Sequence, residues 1–251
     1  MDCQMFDVVK FLAESGNDEA KKTIVGDILS NGKNSVTAGE ADTCLKYLNT
    51  LAEKDDPEAL LSLGALYYTG LGDFVPQDYK KAMTFYQKAA EASELKDGWA
   101  LNNLGYCYYY GRDGVVDYQK AFSCFAQAAT FGNPNAMYKL GDMYYAGNYV
   151  KQDLDAAFYW YALAKEQEAD SDIDYAGFLA ASIAMRLGRA FLFGEGTDID
   201  LINALFELRT AETLFYHQIL IGDKFSKEQL LKTQELIETT KAALEDEINL
   251  E

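Results

Sequence analysis

Apolar residues recur every three to four positions along most of the chain, which is the spacing of a helix that buries one face. In one segment Ala100, Leu104 and Tyr108 share a face around Gly105, and the following segment repeats the arrangement around Gly141. After each such segment, alanines and aromatic residues recur at the same helical spacing. The pattern therefore predicts an all-α chain that is built from pairs of amphipathic helices.

A Leu-Gly pair that is followed six residues later by a second glycine occurs four times in the chain. The pairs and their second glycines are Leu63-Gly64 with Gly70, Leu104-Gly105 with Gly111, Leu140-Gly141 with Gly147, and Leu187-Gly188 with Gly194. An aspartate and an alanine follow each copy at a similar spacing, namely Asp78/Ala82, Asp117/Ala121, Asp153/Ala157 and Asp200/Ala204. Self-similarity at this period is typical of a solenoid, whose units cannot bury their apolar faces alone.

Polar residues and glycines predict where the helices of each repeat begin and end. Asp56, Asp97 and Asn133 each stand eight residues before a repeat glycine. There, a side-chain oxygen can accept from the unpaired N–H groups of the first helical turn. The recurring aspartate would cap the second helix in the same way. The second glycine can adopt the left-handed conformation that ends a helix.

The ends of the chain look like weaker or modified copies of the repeat. Asp18, Gly26 and Gly32 keep the spacing of the clear copies. We therefore expect five repeats, at approximately residues 17–54, 55–95, 96–131, 132–168 and 169–221. Capping helices are expected at 1–16 and 222–251, the latter opened by Ser226 and Gln229 in the spacing of a capping box. We expect all of this to form one continuous domain, in which the insert 165–181 is the least predictable part.

The repeated sequence resembles the Sel-one-like repeat, a relative of the tetratricopeptide repeat. The shared features are the Leu-Gly pair, a tyrosine, the second glycine, and an aspartate followed by Lys81-Ala82 or Lys120-Ala121. The last copy departs from this pattern with Phe191 in place of the tyrosine. The resemblance implies a right-handed α-α superhelical solenoid of about five helix pairs. It also implies a non-enzymatic scaffold that holds other proteins and needs no cofactor.

A second stripe on the first helix of each repeat is the expected binding surface. Positions three before, one after and four after the repeat glycine lie opposite the predicted core, and in the resembled family this stripe resembles the concave wall. Tyrosine offers rigid amphipathic area there, and an amide can pair with a peptide backbone. The candidate partner-binding residues are Tyr68, Trp99, Asn102, Tyr106, Tyr109, Tyr110, Tyr138, Asp142, Tyr145 and Arg189. The alternative is that the tyrosines only seal one repeat against the next.

The chain is strongly acidic, with a formal net charge of -18 at pH 7. Nucleic acids and anionic membrane surfaces are bound by clustered Lys and Arg, so this charge argues against both. A basic protein or peptide partner is compatible with it, although solubility alone explains the charge. The first residues contain neither a basic segment nor a long apolar run. We therefore expect no secretory signal and a soluble, cytoplasmic protein.

The residues that catalysis or metal binding requires are scarce. His217 is the only histidine, which removes His-based metal clusters and Ser-His-Asp triads. Cys3, Cys44, Cys107 and Cys124 are irregularly spaced, so we expect them to be reduced core residues. We expect neither catalytic nor metal-binding residues. Two alternatives stay open: a β-lactamase-like hydrolase, which the cysteine-rich branch of the resembled family implies, and a structural spacer that binds through its ends.

Overall fold

The computed structural model of the chain describes residues 3–30, 36–94, 98–169 and 176–250. Within these ranges the chain folds almost entirely into helices. They are α1 (Cys3–Glu14), α2 (Asp18–Ser30), α3 (Ala38–Ala52), α4 (Pro57–Thr69), α5 (Tyr79–Ala92), α6 (Gly98–Tyr109), α7 (Tyr118–Thr130), α8 (Pro134–Ala146), α9 (Leu154–Ala169), α10 (Ala176–Phe193), α11 (Leu201–Leu220) and α12 (Ser226–Leu250). The predicted all-α class is confirmed.

The helices form two compact units, residues 1–131 and 132–251. In the first unit the closest neighbours are α4 with α5 and α6 with α7, while α1, α2 and α3 pack in sequence. In the second unit α8 packs on α9, α10 on α11, and α12 on α11. Each helix pair predicted from the repeats is therefore present. The proposed repeat boundaries and the single continuous domain stay predictions.

The repeat glycine allows the two helices of a pair to lie unusually close together. The four contacts are Gly64 with Tyr86, Gly105 with Phe125, Gly141 with Tyr161, and Gly188 with Leu208. At each of these glycines an added Cβ would lie 2.4 to 2.7 Å from the side chain of the second helix. Since real Cβ atoms do not approach so closely, any larger residue would force the helices apart or distort the packed side chain.

The predicted capping residues occupy the starts of the helices. Asp56 accepts a hydrogen bond from the Ala59 N–H at 2.9 Å, and Asn133 accepts from the Ala136 N–H at 3.0 Å. The recurring aspartates cap the second helices with N···O distances of 2.9 to 3.0 Å, at Asp78, Asp117, Asp153 and Asp200. Asp97 lies outside the described residues. Local chemistry that is readable from the sequence thus sets these helix starts.

The helix ends follow the expected glycines, but two starts differ from the prediction. Gly147 ends α8 with φ 71° and ψ 30°, the left-handed conformation that the sequence predicts, whereas Gly70 ends α4 with φ 74° and ψ 171°, outside that conformation. At α2 the capping oxygen comes from Asn17, which accepts from the Ala20 N–H at 2.9 Å. At α12 the Ser226 N–H is itself bound by Asp223, at 2.9 Å. The capping acceptor therefore lies three residues before the predicted one.

Candidate protein-binding surfaces

Helix α6 and the residue after it present a narrow accessible strip along one face. Trp99 and Tyr110 are 36% and 48% exposed, and Asn103 and Tyr106 between them are half-buried. Spacings of four, three and four residues keep these side chains on one side of the helix. Most of the remaining surface of α6 is buried. Trp99, Tyr106 and Tyr110 of this strip are predicted contact residues, whereas Asn103 is not among them.

The aromatic rings of the strip are held by one another. Tyr106 and Tyr110 stack with ring centroids 6.0 Å apart, and the edge of Tyr106 packs on Phe125 at 5.4 Å. Tyr109 packs edge to face on Tyr110 at 5.0 Å and on Tyr118 at 5.3 Å. Such pairs stabilise ring orientation beyond the burial of their area. The exposed face of Tyr110 is therefore presented on an ordered support.

An arginine that the sequence analysis did not single out lies beside this strip. The Arg112 guanidinium lies 4.9 Å from the ring of Tyr79, 5.4 Å from that of Tyr110 and 5.5 Å from that of Tyr68. Its Nε also donates to the Tyr68 hydroxyl at 3.1 Å. Burial raises the pKa of Tyr68, so this hydroxyl stays protonated at neutral pH. Because its guanidinium lies close to three aromatic rings, Arg112 places a positive charge next to Tyr110.

The position three residues before the repeat glycine is a packing position, contrary to the sequence-based assignment. Asn102 and Tyr138 are only 3% and 9% exposed, Met185 is buried, and Leu61 is half-buried. A repeat helix has neighbours on two sides, so its open strip is narrower than helical periodicity alone predicts. The accessible amide of α6 therefore belongs to Asn103, one residue after the predicted Asn102.

In the second unit, Asp142 is the centre of a largely buried polar network. Its carboxylate accepts hydrogen bonds from Tyr161 Oη at 3.0 Å, Arg186 Nε at 3.1 Å and Lys139 Nζ at 3.1 Å. Burial alone would raise the pKa of Asp142, but the charges of Arg186 and Lys139 outweigh it and hold the pKa below its usual range. Asp142 thus satisfies groups within the unit and fixes the position of Arg186.

Arg189 and Tyr145, both predicted partner contacts, are joined in this unit by Glu195. The Arg189 guanidinium lies 4.9 Å from the Tyr145 ring, and its Nη2 donates to Glu195 Oε1 at 3.0 Å. The Tyr145 hydroxyl donates to the same oxygen at 3.4 Å. Arg189 stays partly accessible in this arrangement. Its guanidinium is therefore positioned by the protein while part of it faces outward.

The described cysteines do not form a reactive site. Cys44, Cys107 and Cys124 are free and buried. Burial raises the pKa of Cys44 and of Cys124 to about 11 and that of Cys107 to about 12. These thiols are therefore protonated at neutral pH, whereas a nucleophile needs the thiolate. The side chain of Cys3 lies outside the described residues.

Residues 3–30, 36–94, 98–169 and 176–250, which the structure describes, contain neither a metal-ion cluster nor a membrane-spanning helix. No three His, Cys, Asp or Glu side chains in those ranges come together as a metal-ion site. No helix there has both the length and the apolar character that crossing a bilayer requires.

Helix pairs in contact through a repeated glycine, with aromatic side chains on the open strip, define a helical-repeat protein. A family model for the Sel1 repeat matches residues 57–94, 100–133, 134–168 and 183–206, together more than half of the chain. The chain therefore belongs to the Sel1 repeat family, as the resemblance of its repeats indicates.

Two similar proteins illustrate how widely the repeat occurs. The ERAD-associated E3 ubiquitin-protein ligase component HRD3B of Arabidopsis thaliana is 35% identical over 118 residues, which are 46% of this chain and 18% of that protein. The alginate biosynthesis protein AlgK of Azotobacter vinelandii is 35% identical over 126 residues, which are 50% of this chain and 26% of that protein. The matched parts thus span about a quarter or less of these relatives.

Solved structures of Sel1 repeat proteins have the same fold. A Sel1 repeat protein from Oxalobacter formigenes aligns with a TM-score of 0.60 at 22% identity, over 78% of this chain and 73% of that one. The protective antigen c5321 of uropathogenic Escherichia coli aligns with a TM-score of 0.57 at 23% identity, over 95% of this chain and 56% of that one. At these identities the likeness concerns the fold alone.

Proposed function

We propose that this protein is a non-enzymatic interaction scaffold and that its α6 strip binds a segment of another protein. The observation that carries the proposal is the accessible strip of Trp99, Asn103, Tyr106 and Tyr110 on an ordered aromatic support. A few such aromatic anchors supply most of the binding free energy in protein interfaces, because they bury large areas with few rotatable bonds.

The family and the names of the relatives support this class of function. Sel1 repeat proteins generally mediate protein–protein interactions. HRD3B is named as a component of an E3 ubiquitin-protein ligase. Both observations favour a chain that holds other proteins over one that transforms a small molecule.

The geometry of the strip favours an extended segment that lies along α6. Apolar side chains of the segment would pack on Trp99 and Tyr110, and the Asn103 amide would pair with its backbone. Tyr106 packs against both Tyr110 and Phe125, so it holds the Tyr110 ring in position for these contacts. Since Arg112 places a positive charge beside Tyr110, we expect a neutral or acidic group at that end of the segment.

The test compares three versions of the full chain as bait in an extract of the native cell. They are the wild type, the double variant Trp99→Ala/Tyr110→Ala, and the control Tyr159→Ala. Tyr159 is an aromatic residue on α9 that is 60% exposed, so the control removes one exposed aromatic ring away from the strip. We expect wild type and control to retain a common protein, and the double variant to retain about tenfold less of it.

Melting curves of the three baits accompany this comparison. Trp99 and Tyr110 are partly exposed and Tyr110 packs on Tyr106 and Tyr109, so we expect the double variant to melt a few degrees below the wild type and to remain folded in the extract. Equal retention of every captured protein by three folded baits would refute the proposed role of the α6 strip.

A further inference from the structure

A cleft lies between α10 and α12 in the second unit, with a cavity volume of about 570 Å³. This volume falls within the range of sites that hold a small molecule or a few residues of a peptide. Arg186, Arg189 and Phe193 line it from α10, and Lys232, Glu235 and Leu236 line it from α12. The walls therefore combine cationic and apolar side chains.

The residues that line this cleft include more cations than carboxylates, unlike the chain as a whole. Three of its lining residues, Arg186, Arg189 and Lys232, are cations, whereas Glu235 is the one carboxylate among those that line it. The whole chain has a formal net charge of -18 at pH 7. The carboxylates that pair with these cations, Asp142, Glu195 and Glu228, do not line the cleft, so a ligand there meets the cations first.

Both arginines are held by carboxylates of the protein and still have donors to offer. Arg186 donates to Asp142 through Nε, at 3.1 Å. Arg189 donates to Glu195 through Nη2, at 3.0 Å. A guanidinium has five N–H donors, so one such hydrogen bond leaves most of its donors available to a ligand. These arginines are preorganised, which lowers the cost of binding a carboxylate.

Lys232 faces the cleft from the other wall. Its ammonium pairs with Glu228 at 2.8 Å, but the two side chains are 54% and 74% exposed. An exposed pair of this kind contributes little free energy, so Lys232 can turn towards a ligand at small cost. Phe193 and Leu236 add apolar area beside the charges.

We propose that the α10–α12 cleft binds an acidic segment of a partner protein. A side-chain carboxylate of the segment accepts from Arg186 and Arg189, and Lys232 supplies a further positive charge. A neighbouring apolar residue of the segment packs on Phe193 and Leu236. This site is separate from the α6 strip and does not depend on it.

The test measures fluorescence anisotropy of a labelled hexapeptide, Gly-Asp-Leu-Glu-Leu-Gly, titrated with the full chain. Its matched control is the neutral peptide Gly-Asn-Leu-Gln-Leu-Gly. We expect the acidic peptide to bind at least about tenfold more tightly than the neutral one. We also expect Arg189→Gln and Lys232→Glu each to weaken its binding by about tenfold.

A second cation of α12 provides a control for the charge changes. Lys241 pairs with Glu238 on the same helix, and it does not line the cleft. Lys241→Glu alters the net charge as Lys232→Glu does, so we expect it to change peptide affinity by less than about twofold. The α6 variant Trp99→Ala/Tyr110→Ala should bind the acidic peptide normally, which separates the failure of this site from that of the α6 strip.

Three results would overturn the proposal. They are no binding of the acidic peptide, equal binding of the neutral peptide, and equal weakening by Lys232→Glu and Lys241→Glu. Light scattering on the chain without peptide measures its oligomeric state. A dimer that Lys232→Glu dissociates would show that the cleft receives a second copy of this chain, such as the acidic end of α12 at Glu245, Asp246 and Glu247, and would overturn the assignment to a partner.

Discussion

At the scale of single residues, the repeat glycine is the point on the first helix against which one side chain of the second helix packs. Gly141 illustrates this, since an added Cβ would lie 2.5 Å from the ring of Tyr161. The first copy of the repeat differs, because a Cβ at Gly26 would meet nothing within 4 Å. In the four clear copies the packing therefore requires glycine at this position of the repeat. In the first copy the same position has room for a larger side chain.

Alanine substitution should separate these two situations. We expect Gly141→Ala to lower the free energy of unfolding by about 1–3 kcal/mol, because the methyl group overpacks the contact with Tyr161. We expect Gly26→Ala to raise it by about 0.5–1 kcal/mol, because alanine loses less backbone entropy than glycine in a helix. Urea denaturation of both variants measures the difference. A neutral or stabilising Gly141→Ala would contradict the packing that the structure describes.

Part of the α6 strip could be predicted at this scale, and part could not. Helical periodicity placed Tyr106 on an exposed stripe, where it is half-buried, but it selected Asn102 rather than its accessible neighbour Asn103. Periodicity identifies residues that share a face, yet it does not say how many helices cover that face. The position of Arg112 beside the strip could not be predicted, because this residue lies outside the repeated helices, in a turn whose path depends on the fold.

At the scale of the helix pair, the recurring aspartate joins the second helix to the first. The Asp117 carboxylate accepts from the Lys120 N–H at 2.9 Å, and its own N–H donates to the Tyr108 carbonyl at 3.0 Å. The same backbone bond recurs at Asp78, Asp153 and Asp200, with distances of 2.8 to 3.1 Å. These helix starts could be predicted from sequence because a cap depends on residues that are close along the chain.

The cap at Asp117 should make stability depend on pH. The hydrogen bond from the Lys120 backbone lowers the pKa of Asp117 in the folded state. A carboxyl whose folded-state pKa is lowered stabilises the fold above its unfolded value, about 3.9, and that contribution is lost as pH falls through the folded-state value. We therefore expect Asp117→Ala to unfold at lower urea concentration than the wild type at pH 7, and the gap to shrink as pH falls below about 4.

Asn is a neutral side chain that caps helices about as well as Asp, so Asp117→Asn is the matched control. It should recover most of the stability lost in Asp117→Ala, and its own stability should vary less with pH than that of the wild type. A gap between wild type and Asp117→Ala that is the same at pH 7 and at about pH 3.5 would show that the carboxylate charge does not contribute.

At the scale of the whole molecule, net charge is a poor guide to what the chain binds. The chain has a formal net charge of -18 at pH 7, which alone favours a basic partner. The fold nevertheless places Arg112 beside the α6 strip in the first unit, and Arg186, Arg189 and Lys232 in the cleft of the second. Arg186 and Arg189 share a face of α10 by helical spacing, but Lys232 comes from α12, and only packing brings it to the same surface. The helical-repeat class could be predicted because repetition is written along the chain, whereas the charge of each surface could not.

Contact between a partner protein and the α6 strip can be detected by site-specific photocrosslinking in the native cell. A benzoylphenylalanine replaces Tyr110 in one version of the full chain and Tyr159, equally aromatic and 60% exposed, in a control. We expect ultraviolet light to give a covalent adduct with a defined protein at position 110 and little or none at position 159. Adduct formation with the same proteins at both positions, or only at position 159, would contradict the account.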